Sequence, residues 1–488
     1  MAAVAQQPIS MAWGFGGSAL QTEGAWNVDG KEPDVFDAYY TNLGTSVKAP
    51  FIAADHYHRI DEDLKILADL GATAYRFSIS WSRVLKNCTG EINPQGIAFY
   101  NKMINQLLAY KIEPFLTMYH WDLPQTCQDS FGGWASDKIV DAFLVYADVL
   151  LANFGDRVNY WLTINEPRAN CDMCMMNPKF PPMTTNTPEL YMKCMKNSHL
   201  IHGNVVKNAR AKYPALSKNW KFSIPQIMEW VEPQSDGSSL DKQTQWFYDP
   251  CVFGDVTCNL DVTKCVTIDP VPFTQAEKDL MKGTCDFIAV NVYSTVGVSA
   301  DPISDPTYWP NPNPIGPRKM PKFLYDRYKV PIVLSEIGFH VPNSMENNIQ
   351  DVIKDTYRVQ WWQEAAPLVL EAITVDKVPL LAMLAWSLLD NYEFNTYSLR
   401  WGHVAVDCKF LTRTVKDSAK YLKDFFANAT LISPFVRTAA PSATASATGS
   451  GPTNTGSAAA TATTAKNSGG AATVAAGLTS LAIFLLFA

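Results

Sequence analysis

The chain has 488 residues, 47% of them hydrophobic and 12% aromatic, with a formal net charge of -7. That is enough apolar material for one large core. The mild acidity excludes a nucleic-acid binder, because no basic stripe exists to neutralise phosphates. The 14 Trp and 20 Tyr suit cores and interfaces, although flat rings also stack on sugar faces.

Between Ala12 and Phe435, short β-rich segments alternate with helical ones. The candidate strands are "AWGFGGSA", "TAYRFSIS", "EPFLTMYH", "NYWLTINE", "WKFSIPQI", "DFIAVNVY", "VPIVLSE" and "LLAMLAWSL". Each is short and apolar, with the β-branched and aromatic residues that parallel strands buried on both faces require. Between the first two, Ile60, Leu64 and Leu67 repeat at helical spacing before Gly71 ends the run. After Ser136, a candidate cap, the residues Ile139, Ala142, Phe143, Tyr146, Ala147 and Leu150 fall on one helical face. Eight strand-then-helix units predict an α/β fold, a (β/α)8 TIM barrel with long βα loops. The Pro-rich "SADPISDPTYWPNPNPIGPRKMP" is then a loop over the barrel mouth.

This barrel domain is expected over residues 1–436. Residues 437–466 form a Ser/Thr/Ala-rich linker that cannot bury enough apolar surface to fold, so a disordered tail is expected. Residues 467–488 have small residues at Asn467, Ser468 and Gly469, a short spacer and an apolar terminus. That terminus is too short to span a bilayer of roughly 30 Å, but the layout is that of a GPI-attachment signal, the one membrane link expected. Such an anchor needs entry into the secretory pathway, which predicts an extracellular, cell-surface protein. "MAAVAQQPIS" shows neither a basic n-region nor an apolar h-region, so a start other than Met1 is expected.

Ten Cys and two sequons, at Asn87 and Asn428, also fit secretion. Cys171 and Cys174, and Cys251, Cys258 and Cys265, cluster in loop-like segments where disulfides are plausible. No His stands at ligand spacing from them, so zinc is the poorer reading. Cys285, beside an apolar strand, reads as a buried thiol or a paired core cysteine. Nothing in the sequence sets an oligomeric state.

In such a barrel, catalytic groups sit at the C-terminal ends of strands. Those ends carry Gln21, Arg76, His120, Trp121, Asn165, Glu166, Asn291, Tyr293, Glu336 and Trp386. Glu166 on the fourth strand and Glu336 on the seventh can flank a bond held over the mouth. Two such carboxyls are the minimum kit for glycoside hydrolysis. Asn165 adds no charge beside Glu166, which suits a protonated acid. Arg76 and Tyr293 are expected to face Glu336, favour its ionised form and lower its pKa. A Glu–Arg pair at a strand end is also a common structural ion pair, so the barrel alone leaves both readings open.

The chain resembles the family-one glycoside hydrolases, the β-glucosidase and myrosinase family, over nearly all of Ala12–Phe435. The resemblance rests on "SALQTEGAWN", "ADHYHRIDEDLKILADLGATAYRFSISWSRV", "YHWDLPQ", "FGDRVNYWLTINEP", "CDFIAVNVYST", "VLSEIG" and "WSLLDNYEF", in the family's order. It implies a retaining double displacement on a β-glucoside or related oligosaccharide, with Glu166 as acid/base and Glu336 as nucleophile steadied by Arg76 and Tyr293. It implies that Gln21, His120, Trp121 and Asn165 hold the sugar's hydroxyls, that Trp386 forms its floor, and that Glu393 grips its far hydroxyls. Glu393 would repel a phosphate, which favours an unphosphorylated sugar. No metal or organic cofactor is implied.

Ile337, Phe394 and Trp401 stand where the family has Asn, Trp and Phe. Ile337 removes a polar side chain beside the site, and Phe394 removes an indole N–H from the sugar pocket, a role Trp401 could partly take over. The segment after Pro167 departs from the family, so aglycone preference does not carry over. A glycan-binding or signalling relative with little turnover, and a transglycosidase using the same residues, are the alternatives.

Overall fold

The computed structural model describes residues 11–44, 49–176, 180–182, 187–232, 248–254, 273–296, 313–341, 346, 348–407 and 409–428. All eight predicted strands form. They are β1 (Ala12–Gly16), β2 (Ala74–Ser78), β3 (Glu113–Tyr119), β4 (Tyr160–Ile164), β5 in two pieces (Lys221–Ser223 and Gln226–Ile227), β6 (Ile288–Val292), β7 (Ile332–Ile337) and β8 (Leu380–Ala385). Neighbours are parallel and follow chain order, and β1 pairs with both β2 and β8. The first piece of β5 pairs with β4 and the second with β6, so the ring closes into a (β/α)8 barrel. Pro225 lies between the pieces and has no N–H to give the ladder. Its carbonyl instead accepts the backbone N–H of Glu166 at 2.8 Å. At Gly14 a Cβ would lie 1.7 Å from the Ala74 carbonyl oxygen, so only glycine lets β1 and β2 approach there.

Strand alternation fills the barrel and then equips its mouth. Ala74, Phe115, Leu162, Phe287, Ala289, Val333, Ala382 and Leu384 form one buried cluster inside the ring. Two residues further along their strands, on the same face, stand Arg76, Thr117, Asn291, Ser335 and Trp386. Moving up the barrel by about 7 Å thus changes the interior from aliphatic and aromatic to mostly polar.

The helices form for the expected reason. In Lys138–Phe154 the predicted face is buried, residue for residue. The Ser136 cap needs correction. Asp137 is the N-cap and makes no side-chain cap bond, while Ser136 Oγ accepts the Lys138 N–H at 3.3 Å. In His56–Asp69, Ile60, Leu64 and Leu67 are buried, and Gly71 follows at φ +71°.

The Pro-rich loop is shorter than expected, because its end starts the helix Gly316–Tyr328. Pro317 sits in the first turn, where a missing N–H costs nothing. Residues 297–312 lie outside the described residues, as do 429–488 with the expected linker and anchor signal. Among the described residues no helix is long and apolar enough to cross a membrane.

Among the described residues three disulfides form: Cys88–Cys127, Cys171–Cys194 and Cys251–Cys285. Cys285 is therefore paired, while Cys174 is a buried thiol. Cys258, Cys265 and Cys408 lie outside the described residues. His202, distant in sequence, comes within 3.6 Å of Cys285 Sγ, a proximity that ligand spacing could not reveal. The bond between Cys251 and Cys285 leaves no thiolate there for a metal.

Candidate active site

Glu336 reaches the mouth by a backbone irregularity. Leu334 is opposite Val290 in β6 and Glu336 is opposite Asn291, so Ser335 is an extra residue in β7. The register against β8 slips by one residue over the same stretch. Such a bulge re-aims side chains. Val333 and Ser335 face the interior by alternation, and the bulge lets Glu336 face it too. Ile337 is opposite Val292 and Ala385, whose alternation directs them to the helix layer. Its apolar side chain is fully buried there, so the expected loss of a polar group beside the sugar does not arise from this position.

Glu336 is only 3% exposed. One carboxylate oxygen accepts from Arg76 Nη1 and the other from the Tyr293 hydroxyl. Arg76 is itself fixed on three further sides: Nε donates to Thr117 Oγ1 at 3.0 Å, Nη1 to the Ser335 carbonyl at 3.2 Å and Nη2 to Asn165 Oδ1 at 2.6 Å. Burial nevertheless holds the Glu336 pKa above its ordinary value, with Arg76, Tyr293 and Asn291 working against that rise. The expected lowering is thus corrected: desolvation of the carboxyl outweighs the Arg76 guanidinium, the Tyr293 phenol and the Asn291 amide.

Glu166 has a different setting. It follows the end of β4 in a left-handed conformation, φ +46°, immediately before the short helix Pro167–Cys171. Its Oε1 accepts from Asn291 Nδ2 at 2.5 Å. Burial first, and the Glu336 charge second, push its pKa up to about 8. Both carboxyls rise, but only Glu336 has a cation and a phenol donating to its ionised form, so Glu336 gives up its proton first.

The remaining expected residues surround this pair. Asn165 Oδ1 accepts from Arg76 and, at 3.3 Å, from Asn291 Nδ2, while Asn165 Nδ2 lies 3.2 Å from His120 Nε2. Burial and the Arg76 charge hold the His120 pKa well below its usual range, so that ring is neutral. It stacks on Trp386, with ring centroids 5.6 Å apart and planes at 6°. Trp121 donates its indole N–H to the Asn165 carbonyl at 3.0 Å. Gln21 Nε2 donates to Glu393 Oε2 at 2.9 Å, and Ser18 Oγ donates to Gln21 Oε1 at 2.6 Å. Burial, then the charges of Glu336 and Glu166, hold the Glu393 carboxyl well above the usual range.

Phe394 and Trp401 each pack on aromatic rings of the site. Phe394 packs on Trp121 at 4.7 Å and Phe180 at 5.7 Å. Trp401 packs edge-on against Tyr293 at 5.0 Å. Asn87 is exposed, and the side chain of Asn428 lies outside the described set.

Sequence reasoning missed Thr117, Ser335 and Ser18, which orient Arg76, Asn291 and Gln21. A small hydroxyl inside an apolar strand carries no signal of its own. Strand parity could have found the first two, since both fall two residues above a core position.

Two buried carboxyls at the mouth of a (β/α)8 barrel, one gripped by Arg and Tyr and the other by an amide, suit acid-assisted displacement at a sugar carbon. A model described as Glycosyl hydrolase family 1 matches residues 4–430. The chain belongs to that family. It is similar to Beta-glucosidase 34 of Oryza sativa subsp. japonica, 33% identical over 474 residues, covering 86% of this chain and 92% of the relative. It is also similar to a cyanidin 3-O-glucoside 7-O-glucosyltransferase (acyl-glucose) of Delphinium grandiflorum, 33% identical and covering 86% and 89% of the two chains. Among solved structures, the rice Os3BGlu6 β-glucosidase superposes with a TM-score of 0.77 at 30% identity, covering 85% of this chain and 98% of that one. Aphid myrosinase gives 0.75 at 29% identity, covering 86% and 98%. This family-one hydrolase is therefore a β-glucosidase-like O-glycosyl hydrolase.

Proposed function

We propose that this enzyme is a retaining β-glycosidase acting on unphosphorylated terminal β-glucosides through a covalent glycosyl-enzyme intermediate. Glu336 attacks the anomeric carbon as Glu166 gives its proton to the leaving oxygen. Glu166, now ionised, then takes a proton from water, which attacks the same carbon and releases the sugar from Glu336. Gln21, His120, Trp121, Asn165, Asn291, Trp386, Glu393 and Phe394 form the sugar's surroundings. The observation that carries the reading is the unequal equipment of the two acids: Arg76 and Tyr293 on Glu336, a lone amide on Glu166. The relative from rice was captured in a covalent complex with Glc, which supports the intermediate by analogy.

Labelling with a 2-deoxy-2-fluoro-β-glucoside and mapping the modified peptide tests the proposal. A stable adduct on Glu336 is expected. Hydrolysis without an adduct, or an adduct elsewhere, overturns it.

Net transglycosylation is a second reading, favoured by the similarity to the Delphinium glucosyltransferase. It uses the same intermediate and replaces water with an acceptor hydroxyl. The ratio of transfer to hydrolysis, measured with an acyl-glucose donor and phenolic acceptors, separates the two.

The cell surface is the proposed location, with a GPI anchor at the C-terminus and a glycan on Asn87. The three disulfides among the described residues support an oxidising compartment. Release of the protein from membranes by a phosphatidylinositol-specific phospholipase tests the anchor.

A further inference from the structure

The bulge in β7 places two side chains of consecutive residues at one site. Glu336 has a role in the proposed chemistry, and Ser335, which orients Asn291, is fully buried beside it. Its hydroxyl donates to Asn291 Oδ1 at 2.6 Å. The other end of that amide, Nδ2, faces Glu166 Oε1 at 2.5 Å and Asn165 Oδ1 at 3.3 Å.

An asparagine amide has a donor end and an acceptor end, and a half-turn about its last side-chain bond exchanges them. Towards Glu166 the two ends do opposite things. The NH2 group favours the carboxylate, whereas the carbonyl oxygen favours the protonated acid by accepting its proton. Asn165 Oδ1 is committed to Arg76 as an acceptor, so it prefers the NH2 end of Asn291. Ser335 acts from the far side as a donor to Oδ1.

We propose that Ser335 is a positioning residue for the acid/base cycle, its hydroxyl holding the Asn291 amide with the NH2 group towards Glu166. The inference rests on Glu166 being the acid/base. Glu166 must alternate between protonated and ionised forms within each turnover. A fixed NH2 donor stabilises the ionised form that water activation needs, and it opposes the rise that burial and Glu336 impose. The other titratable groups bearing on Glu166 are Glu336 and Tyr293, Arg76, Glu393 and, from the helix Asp249–Phe253 side, Tyr248. Of these, Glu336 also has its ionised form favoured by Asn291, so a turned amide acts on both carboxyls, whereas the second contact of Ser335, to Arg76, is through its backbone carbonyl and survives the substitution.

The test compares Ser335→Ala with Ser335→Thr, which keeps the hydroxyl, by the pH profile of kcat/KM. The Glu166 titration is also followed directly by 13C NMR of protein labelled at the Glu carboxyl carbon and assigned with Glu166→Gln. Losing the lock frees the amide to turn, so the Glu166 pKa and the basic limb should both rise by about one pH unit in Ser335→Ala. Ser335→Thr should restore them. A Glu166 titration that stays put or falls in Ser335→Ala overturns the proposal, whatever happens to stability. Should Ser335→Ala fail to fold, Ser335→Cys, a much weaker donor, takes its place with the same expected direction. Failure of the acid/base assignment is distinguishable: the basic limb would then survive in Glu166→Gln while the NMR comparison of Ser335 variants remained readable.

Discussion

Glu166 and Glu336 are the same residue type, both buried and both at the barrel mouth, yet their surroundings differ in kind. Glu336 sits inside a strand and receives a guanidinium and a phenol, one on each oxygen. Glu166 sits just past a strand end and receives a side-chain amide. Burial raises both pKa values, and the local donors decide the order in which protons leave. The contrast teaches that role is assigned by neighbours on other strands: Arg76 from β2, Asn291 and Tyr293 from β6 and the residues after it. One carboxyl alone would have been an ordinary strand-end acid.

The largest break in this comparison is removal of Glu336. Glu336→Ala should lower kcat on an aryl β-glucoside on the order of 10⁴-fold or more. Added azide should restore turnover with inverted product, because a small anion fits where the carboxylate stood. The coupling gives a second readout. With the Glu336 charge gone, one cause of the raised Glu166 pKa disappears, so the basic limb of the azide reaction should fall below pH 8. An unmoved limb would mean that burial alone sets Glu166.

Removal of the acid should be more selective. For Glu166→Gln, a substrate with a poor leaving group should lose about 10³- to 10⁴-fold, in line with general acid catalysis. An activated aryl glycoside, whose leaving group needs no proton, should lose far less in glycosylation. In the wild type the basic limb should lie near pH 8, where Glu166 gives up its proton, and in the variant that limb should vanish. Equal losses on both substrates would deny Glu166 the acid role.

Much of this was legible in the chain, and the exceptions have physical causes. All eight strands were readable because a strand buried on both faces must be apolar and short, as "VPIVLSE" and "NYWLTINE" are. The two carboxyls followed from where those strands end. The bulge at Ser335 was not readable, since one extra residue leaves the apolar run intact. The Glu336 pKa direction came out reversed, because sequence reveals neighbours such as Arg76 but not how thoroughly a site excludes water. The place of Ile337 depended on the same bulge, which aligns it with Val292 and Ala385 and not with Asn291.

Between the two acids, the donors of Glu336 can be weakened one at a time. Tyr293→Phe removes one preorganised hydrogen bond and should lower kcat about 10²- to 10³-fold. The sign of its pH effect is fixed. The phenol favours ionised Glu336, so without it the Glu336 pKa rises, and the acid limb of kcat/KM moves to higher pH while the basic limb holds. Movement of the acid limb to lower pH would show that Tyr293 does not donate to Glu336 in the working enzyme.

The smallest effect should come from Trp401, which packs behind a donor of Glu336. Trp401 packs edge-on against the Tyr293 ring at 5.0 Å and against His340 at 5.1 Å, where the family has the smaller Phe. An edge-to-face aromatic pair contributes about 0.5–1.5 kcal/mol. If that packing holds the Tyr293 hydroxyl on Glu336, Trp401→Phe should lower kcat only about two- to tenfold by the same energy. It should also shift the acid limb in the direction of Tyr293→Phe. The double variant Trp401→Phe/Tyr293→Phe then separates routes. If Trp401 acts through Tyr293, adding its substitution to Tyr293→Phe should cost almost nothing more, whereas independent effects would multiply. Multiplication would detach Trp401 from the nucleophile's side of the comparison and point to direct contact with the substrate.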